Sequence, residues 1–182
     1  MSDVPGDRPV FEFPVQVRYM EVDAQGVVFN AWYLTYFDEA FNAFLVARGL
    51  PYEKMIESGF DAQLVHTDID WHAGLRWQDN ARVAVSTARV GTTSFALDFQ
   101  TRRDGIPTCT ARTVYVVIAT DGSGKRSIPP VLAEALGPPA PLGPPAPLGP
   151  PAPLGPPPPE STPPPESPQC PGHVVNDWPG GR

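Results

Sequence analysis

An α+β fold, one long helix wrapped by a single antiparallel sheet, is predicted by three features of this 182-residue chain. A strand pattern leads directly into an aromatic-rich helix, four further strand patterns then run consecutively to about Thr120, and no alternating βαβ rhythm occurs. The last feature argues against a doubly wound dinucleotide fold.

Phe11 to Glu21 alternates with period two, placing Phe13, Val15, Val17 and Tyr19 on one face and Gln16, Arg18 and Met20 on the other. The turn Val22-Asp23-Ala24-Gln25-Gly26 follows, with Gly26 where a Cβ would obstruct the backbone. Asn30 reads as the N-cap of a helix running to about Arg48. Tyr33, Phe37, Phe41, Phe44 and Leu45 recur at helical spacing, and Trp32, Leu34 and Tyr36 widen the apolar face, predicting burial on several sides. Gly49 stops the helix with Pro51 beyond it. A short helix near Tyr52 to Ser58 precedes strands at about Phe60–Trp71, Ala81–Val90, Ser94–Arg103 and Thr108–Thr120. The turn signals between them are Gln78-Asp79-Asn80, Gly91-Thr92 and Asp104-Gly105-Ile106-Pro107. Val114 to Ile118 is continuously apolar, as in a strand covered on both faces. A terminal helix over Pro129 to Leu136 opens on proline.

Composition divides the chain into a globular domain, 1–136, and a proline-rich tail, 137–182. Most of the 26 prolines lie in the tail, where Pro-Pro-Ala-Pro-Leu-Gly repeats. Too little apolar surface is present there to offset ordering entropy, so the tail is expected to be extended and disordered. With 20 Asp+Glu against 13 Lys+Arg, a general nucleic-acid or anionic-membrane surface is disfavoured. The N-terminus has no signal-peptide pattern, and no apolar run is long enough to span a bilayer. Cys109, in a strand, and Cys170, in the tail, form no disulfide framework or zinc motif, which points to a reduced, cytoplasmic protein.

The segment Gln16–Tyr33 resembles the signature of the 4-hydroxybenzoyl-coenzyme A thioesterase family of the hotdog superfamily. That signature has an Asp, two spacers, a Gly, two aliphatics and an aromatic before the central helix: here Asp23, Ala24-Gln25, Gly26, Val27-Val28 and Phe29, with Tyr33 near the helix start. Gly49-Leu50-Pro51, Gly91-Thr92-Thr93-Ser94-Phe95 and Ile128-Pro129 extend the similarity over about residues 11–136. The resemblance implies a five-stranded antiparallel hotdog sheet around the central helix, a homodimer or homotetramer, and an acyl-coenzyme A substrate hydrolysed without a cofactor. It implies that Asp23 is the catalytic carboxylate and that the Asn30 backbone N–H polarises the thioester carbonyl. Gly26, Val27, Tyr33, Thr93 and Ser94 would then contact substrate. Two positions depart from the family pattern: Val22 replaces a Thr or Cys, and Asn30 replaces a His, leaving only its backbone amide for the reaction.

The chemistry suits these residues. A thioester carbonyl is electrophilic, and an aspartate needs no tuning to act at neutral pH as nucleophile or general base. A carboxylate just before a helix N-terminus also lies beside N–H groups able to hold an oxyanion. The plainer alternative is that Asp23 only caps a turn. Glu39, on the helix, is a rival carboxylate. His66 and His72 are six residues apart, on one face of a regular strand, but no third metal ligand accompanies them, and His173 lies in the tail. Arg89, Arg102, Arg103 and Arg112 are candidates for coenzyme A phosphates or ordinary solvent-facing strand residues. Other readings are a hotdog hydratase or dehydratase, which the missing His at position 30 disfavours, and a non-catalytic thioester-binding or tail-mediated scaffold.

Overall fold

A computed structural model describes residues 11–140 and 142. Of the predicted tail, only Gly137 to Ala140 and Leu142 fall among them; Cys170 and His173 lie outside the described residues. The elements are β1 (Phe11–Gln16), α1 (Trp32–Ala47), α2 (Tyr52–Glu57), β2 (Phe60–Trp71), β3 (Asn80–Val90), β4 (Ser94–Arg103), β5 (Ile106–Ala119) and α3 (Pro130–Leu136). All strand pairs are antiparallel, in the order β1-β3-β4-β5-β2. The sheet packs around α1, the hotdog arrangement.

Alternation along the strands sends Val83, Val85, Phe95, Leu97, Phe99, Tyr115 and Val117 inward. There they meet Tyr33, Tyr36, Phe37, Phe41, Phe44 and Leu45 of α1. Rings carry much of this contact: Phe37 stacks on Phe99 at 5.0 Å, and Phe41 on Tyr115 at 4.6 Å. Such pairs contribute beyond their buried area and fix the angle of the helix over the sheet. Burial of α1 is one-sided, however. Leu34, Asp38, Glu39 and Asn42 are exposed, so the wide apolar face read as burial on several sides is partly surface.

Three other expectations are corrected. The first strand ends at Gln16, because a 3₁₀ turn over Tyr19–Glu21 breaks the alternation and leaves Tyr19 and Met20 exposed while burying Glu21. Asn30 is not the N-cap: α1 begins at Trp32 after Ala31, with no side-chain cap. β5 starts at Ile106, because Asp104 and Gly105 (φ 51° and 82°) complete a two-residue turn between paired Arg103 and Ile106. Pro107 is tolerated within β5 next to the register shift opposite Thr101 and Arg102.

Candidate active site

The site is built on the connection between β1 and α1. Val22 pairs with Val28 in an antiparallel bridge, and the Asp23 N–H donates to Val27 C=O at 2.8 Å. Gly26 N–H returns to Asp23 C=O at 2.9 Å, and Gly26 has φ 77°. Together these make a small hairpin: a turn closed by a residue in the left-handed region, which glycine occupies without strain. Asp23 sits at its first corner, half-buried. One carboxylate oxygen, Oδ1, accepts the Gln25 N–H at 2.8 Å, while Oδ2 has no hydrogen-bond partner among the described residues. One oxygen therefore holds the side chain to the turn and leaves the other without a hydrogen bond among the described residues.

The far limb of the hairpin rests on the segment between β2 and β3. Val28 N–H donates to Leu75 C=O at 2.8 Å, and Leu75 N–H donates to the Tyr33 hydroxyl at 3.2 Å. That segment is clamped in turn, because His72 and Ala73 N–H both donate to Thr108 C=O. Gly74 passes so close to the hairpin that a Cβ there would lie 2.6 Å from Val27 Cγ1. Tyr33, expected to contact substrate, spends its hydroxyl oxygen on this clamp. Burial pushes that hydroxyl up to about 12, so it stays a neutral phenol.

The start of α1 completes the site. Trp32, Tyr33 and Leu34 N–H groups return to Phe29, Asn30 and Ala31 carbonyls. The N–H groups of Asn30 and Ala31 donate to no group among the described residues, and both residues are exposed. They lie at the positive end of a 16-residue helix.

Asp23, Val27, Asn30 and Tyr33 line one cleft of about 640 Å³, together with Phe29, Trp71, His72 and Gly74. This is the size and mixed lining of a small-molecule site. Thr93 and Ser94 are not brought to it. Ser94 pairs with Val116 and Trp71 with Cys109, seven residues apart along β5, or roughly 23 Å at the rise of a strand.

The remaining candidates are placed as follows. Glu39 is exposed on α1. His66 pairs with Asp68 and His72 with Thr110 Oγ1, and no group able to hold a metal occurs among the described residues. Arg102, Arg103 and Arg112 hold Glu12, Asp79 and Asp98, whereas Arg89 has no such partner among the described residues. Cys109 is buried in β5, its thiol pushed up to about 12 by burial.

Sequence reasoning passed over Glu21. It is 1 % exposed, with its carboxylate held by the Arg18 N–H at 2.8 Å, the Arg18 guanidinium at 2.5 Å and the Tyr36 hydroxyl at 2.5 Å. Burial opposes its ionisation, but these donors outweigh burial and hold its carboxyl below the ordinary value. The one available signal was its position: Glu21 falls on the face of the alternation that carries Phe13, Val15, Val17 and Tyr19.

A profile of the thioesterase-like superfamily matches residues 17–136, from the end of β1 through α3. The chain belongs to this superfamily. The crystal structure of a hypothetical protein from Aquifex aeolicus matches this thioesterase-like protein with a TM-score of 0.67 and 27 % identity, over 70 % of this chain and 99 % of that one. The structure of a 1,4-dihydroxy-2-naphthoyl-CoA thioesterase from Synechocystis shares the fold, with a TM-score of 0.64 and 24 % identity over 70 % and 96 % of the two chains. The 1,4-dihydroxy-2-naphthoyl-CoA hydrolase of Synechococcus elongatus is 23 % identical over 128 residues, 69 % of this thioesterase-like chain and 94 % of its own.

Proposed function

We propose that this protein hydrolyses acyl-coenzyme A thioesters, with Asp23 as the catalytic carboxylate. The observation that carries the reading is that one cleft is lined by both Asp23, whose Oδ2 has no hydrogen-bond partner among the described residues, and Asn30, whose N–H has none. In this reading the thioester carbonyl oxygen lies against the Asn30 amide, which stabilises the negative charge that develops there. Asp23 either attacks the carbonyl carbon, giving a mixed anhydride that water cleaves, or takes a proton from the attacking water. The thiolate of coenzyme A leaves in both cases. Val27, Phe29 and Trp71 supply the apolar part of the cleft lining. Membership of the superfamily and the naphthoyl-CoA hydrolase relative support the choice of thioester over other carbonyl substrates.

Thr93 and Ser94 would reach the same substrate either along its extended coenzyme A arm or, at the cleft itself, from a second copy in a homodimer. β2, a 12-residue edge strand with Leu64, Val65 and Trp71 exposed, is the surface for that pairing. The test is free-thiol release across short, medium, long and aromatic acyl-coenzyme A thioesters. Turnover of at least one class is expected; binding without turnover throughout contradicts the reading.

One observation favours a hydratase instead: His72 lines the same cleft. Its Nε2 is engaged with Thr110, however, at 2.9 Å. Loss of enoyl absorbance from a 2-enoyl-coenzyme A, without thiol release, would establish that reading.

A further inference from the structure

Glu21 takes no part in the reaction above, yet it is the most completely engaged acid among the described residues. Burying a carboxylate is costly, and the cost is offset here only by three donors aimed at it. One of those donors belongs to α1. Tyr36 lies one helical turn beyond Tyr33 and is itself 2 % exposed, so the Glu21–Tyr36 bond ties the chain before the hairpin to the buried face of the central helix. The backbone of Glu21 makes a second tie. Its carbonyl accepts the Phe29 N–H at 2.9 Å, and Phe29 supplies the carbonyl carbon of the peptide whose N–H belongs to Asn30. Asp23 stands two residues after Glu21, on the other side of the same tie.

We infer that Glu21 is a positioning residue: through Tyr36 it locks the hairpin to α1, and so fixes Asp23 and the Asn30 amide relative to each other. The inference rests on the hydrolytic reading, since a fixed spacing between acid and amide matters only if both act on one carbonyl. Arg18 shields the outer side of the carboxylate and packs its guanidinium 5.6 Å from the centre of the Trp32 ring, adding a second link to α1.

The experiment measures kcat, KM and Tm for Tyr36→Phe, Glu21→Leu, Glu21→Gln and the Tyr36→Phe/Glu21→Leu double variant, with Asp23→Asn alongside. Small displacements of catalytic groups lower turnover far more than binding, so Tyr36→Phe and Glu21→Leu should each lower kcat by about tenfold with KM within about threefold of wild type. Both remove the same tie, so the double variant should lose no more than the worse single. Glutamine keeps an acceptor for one donor, and its amide can donate to the Tyr36 oxygen, so Glu21→Gln should recover to within about threefold of wild type.

A lowered Tm with wild-type kcat at 20 °C, or losses that multiply in the double variant, would overturn the inference. If Glu21→Leu fails to fold, Tyr36→Phe, which removes one oxygen, decides the matter alone. Full turnover by Asp23→Asn would instead remove the hydrolytic reading itself, a result separate from the failure of the Glu21 tie.

Discussion

At the scale of single residues, two glycines show how tightly the acid is framed. Gly26 has open space where a Cβ would be, so an alanine there meets only backbone strain from φ 77°. Gly74 has an ordinary backbone but no room, because Val27 occupies the Cβ position. The two substitutions should therefore fail differently. Gly26→Ala is expected to cost about 1 kcal/mol of stability while keeping part of its activity. Gly74→Ala should displace Val27 and the hairpin, costing about 1–3 kcal/mol together with most of the turnover. Chemical denaturation and kcat measured on both variants check the contrast. Gly26 was legible in the sequence because its turn is local. Gly74 was not, because its constraint comes from a residue 47 positions away that only the fold brings near.

At the scale of elements, the hairpin between β1 and α1 is held at three points: by its own bridge, by the segment around Leu75, and by the Glu21–Tyr36 tie. The tie makes stability depend on pH. A carboxyl held below its ordinary value contributes fully above the unfolded glutamate value of about 4.3, and the contribution is lost as pH falls through the folded value. Wild-type Tm should therefore fall more steeply than that of Glu21→Gln between pH 6 and pH 3. Parallel curves would show that Glu21 titrates alike in both states.

Strand and helix limits were read well from sequence where alternation and turn residues agreed, as in Phe60–Trp71 and Ser94–Arg103. They were misread at Tyr19–Glu21, where a 3₁₀ turn breaks the alternation and leaves the adjacent Tyr19 and Met20 exposed. The start of α1 was misread for a related reason. Asn30 has the chemistry of a cap, but α1 begins only at Trp32 after Ala31, with no side-chain cap bond at its start.

At the scale of the whole molecule, β2 is the long unpaired edge of the sheet, and α1 carries exposed Leu34 and Val46. Apolar exposure along a free strand edge favours pairing with another copy. The native mass by light scattering should be at least twice the 19.6 kDa of one chain, and a Leu64→Glu/Val65→Lys variant should shift toward one chain. Truncation after Leu142 removes the proposed proline-rich unit and should leave both Tm and turnover unchanged. No helix among the described residues is long and apolar enough to cross a membrane.

The composition step near Gly137 was visible in the sequence, as was the order of elements. The separation of Thr93 and Ser94 from the Asp23 cleft was not, because motif order along a chain carries no information about which end of a sheet each turn occupies.

The central claim is that Asp23 carries the side-chain chemistry, and one measurement bears on it most directly: thiol release by Asp23→Asn on the best substrate of the acyl-coenzyme A panel. Asparagine keeps an oxygen for the Gln25 N–H, so fold and oligomer size should persist while kcat falls by at least about a hundredfold. Turnover within about threefold of wild type, in a variant of unchanged Tm, would contradict the account.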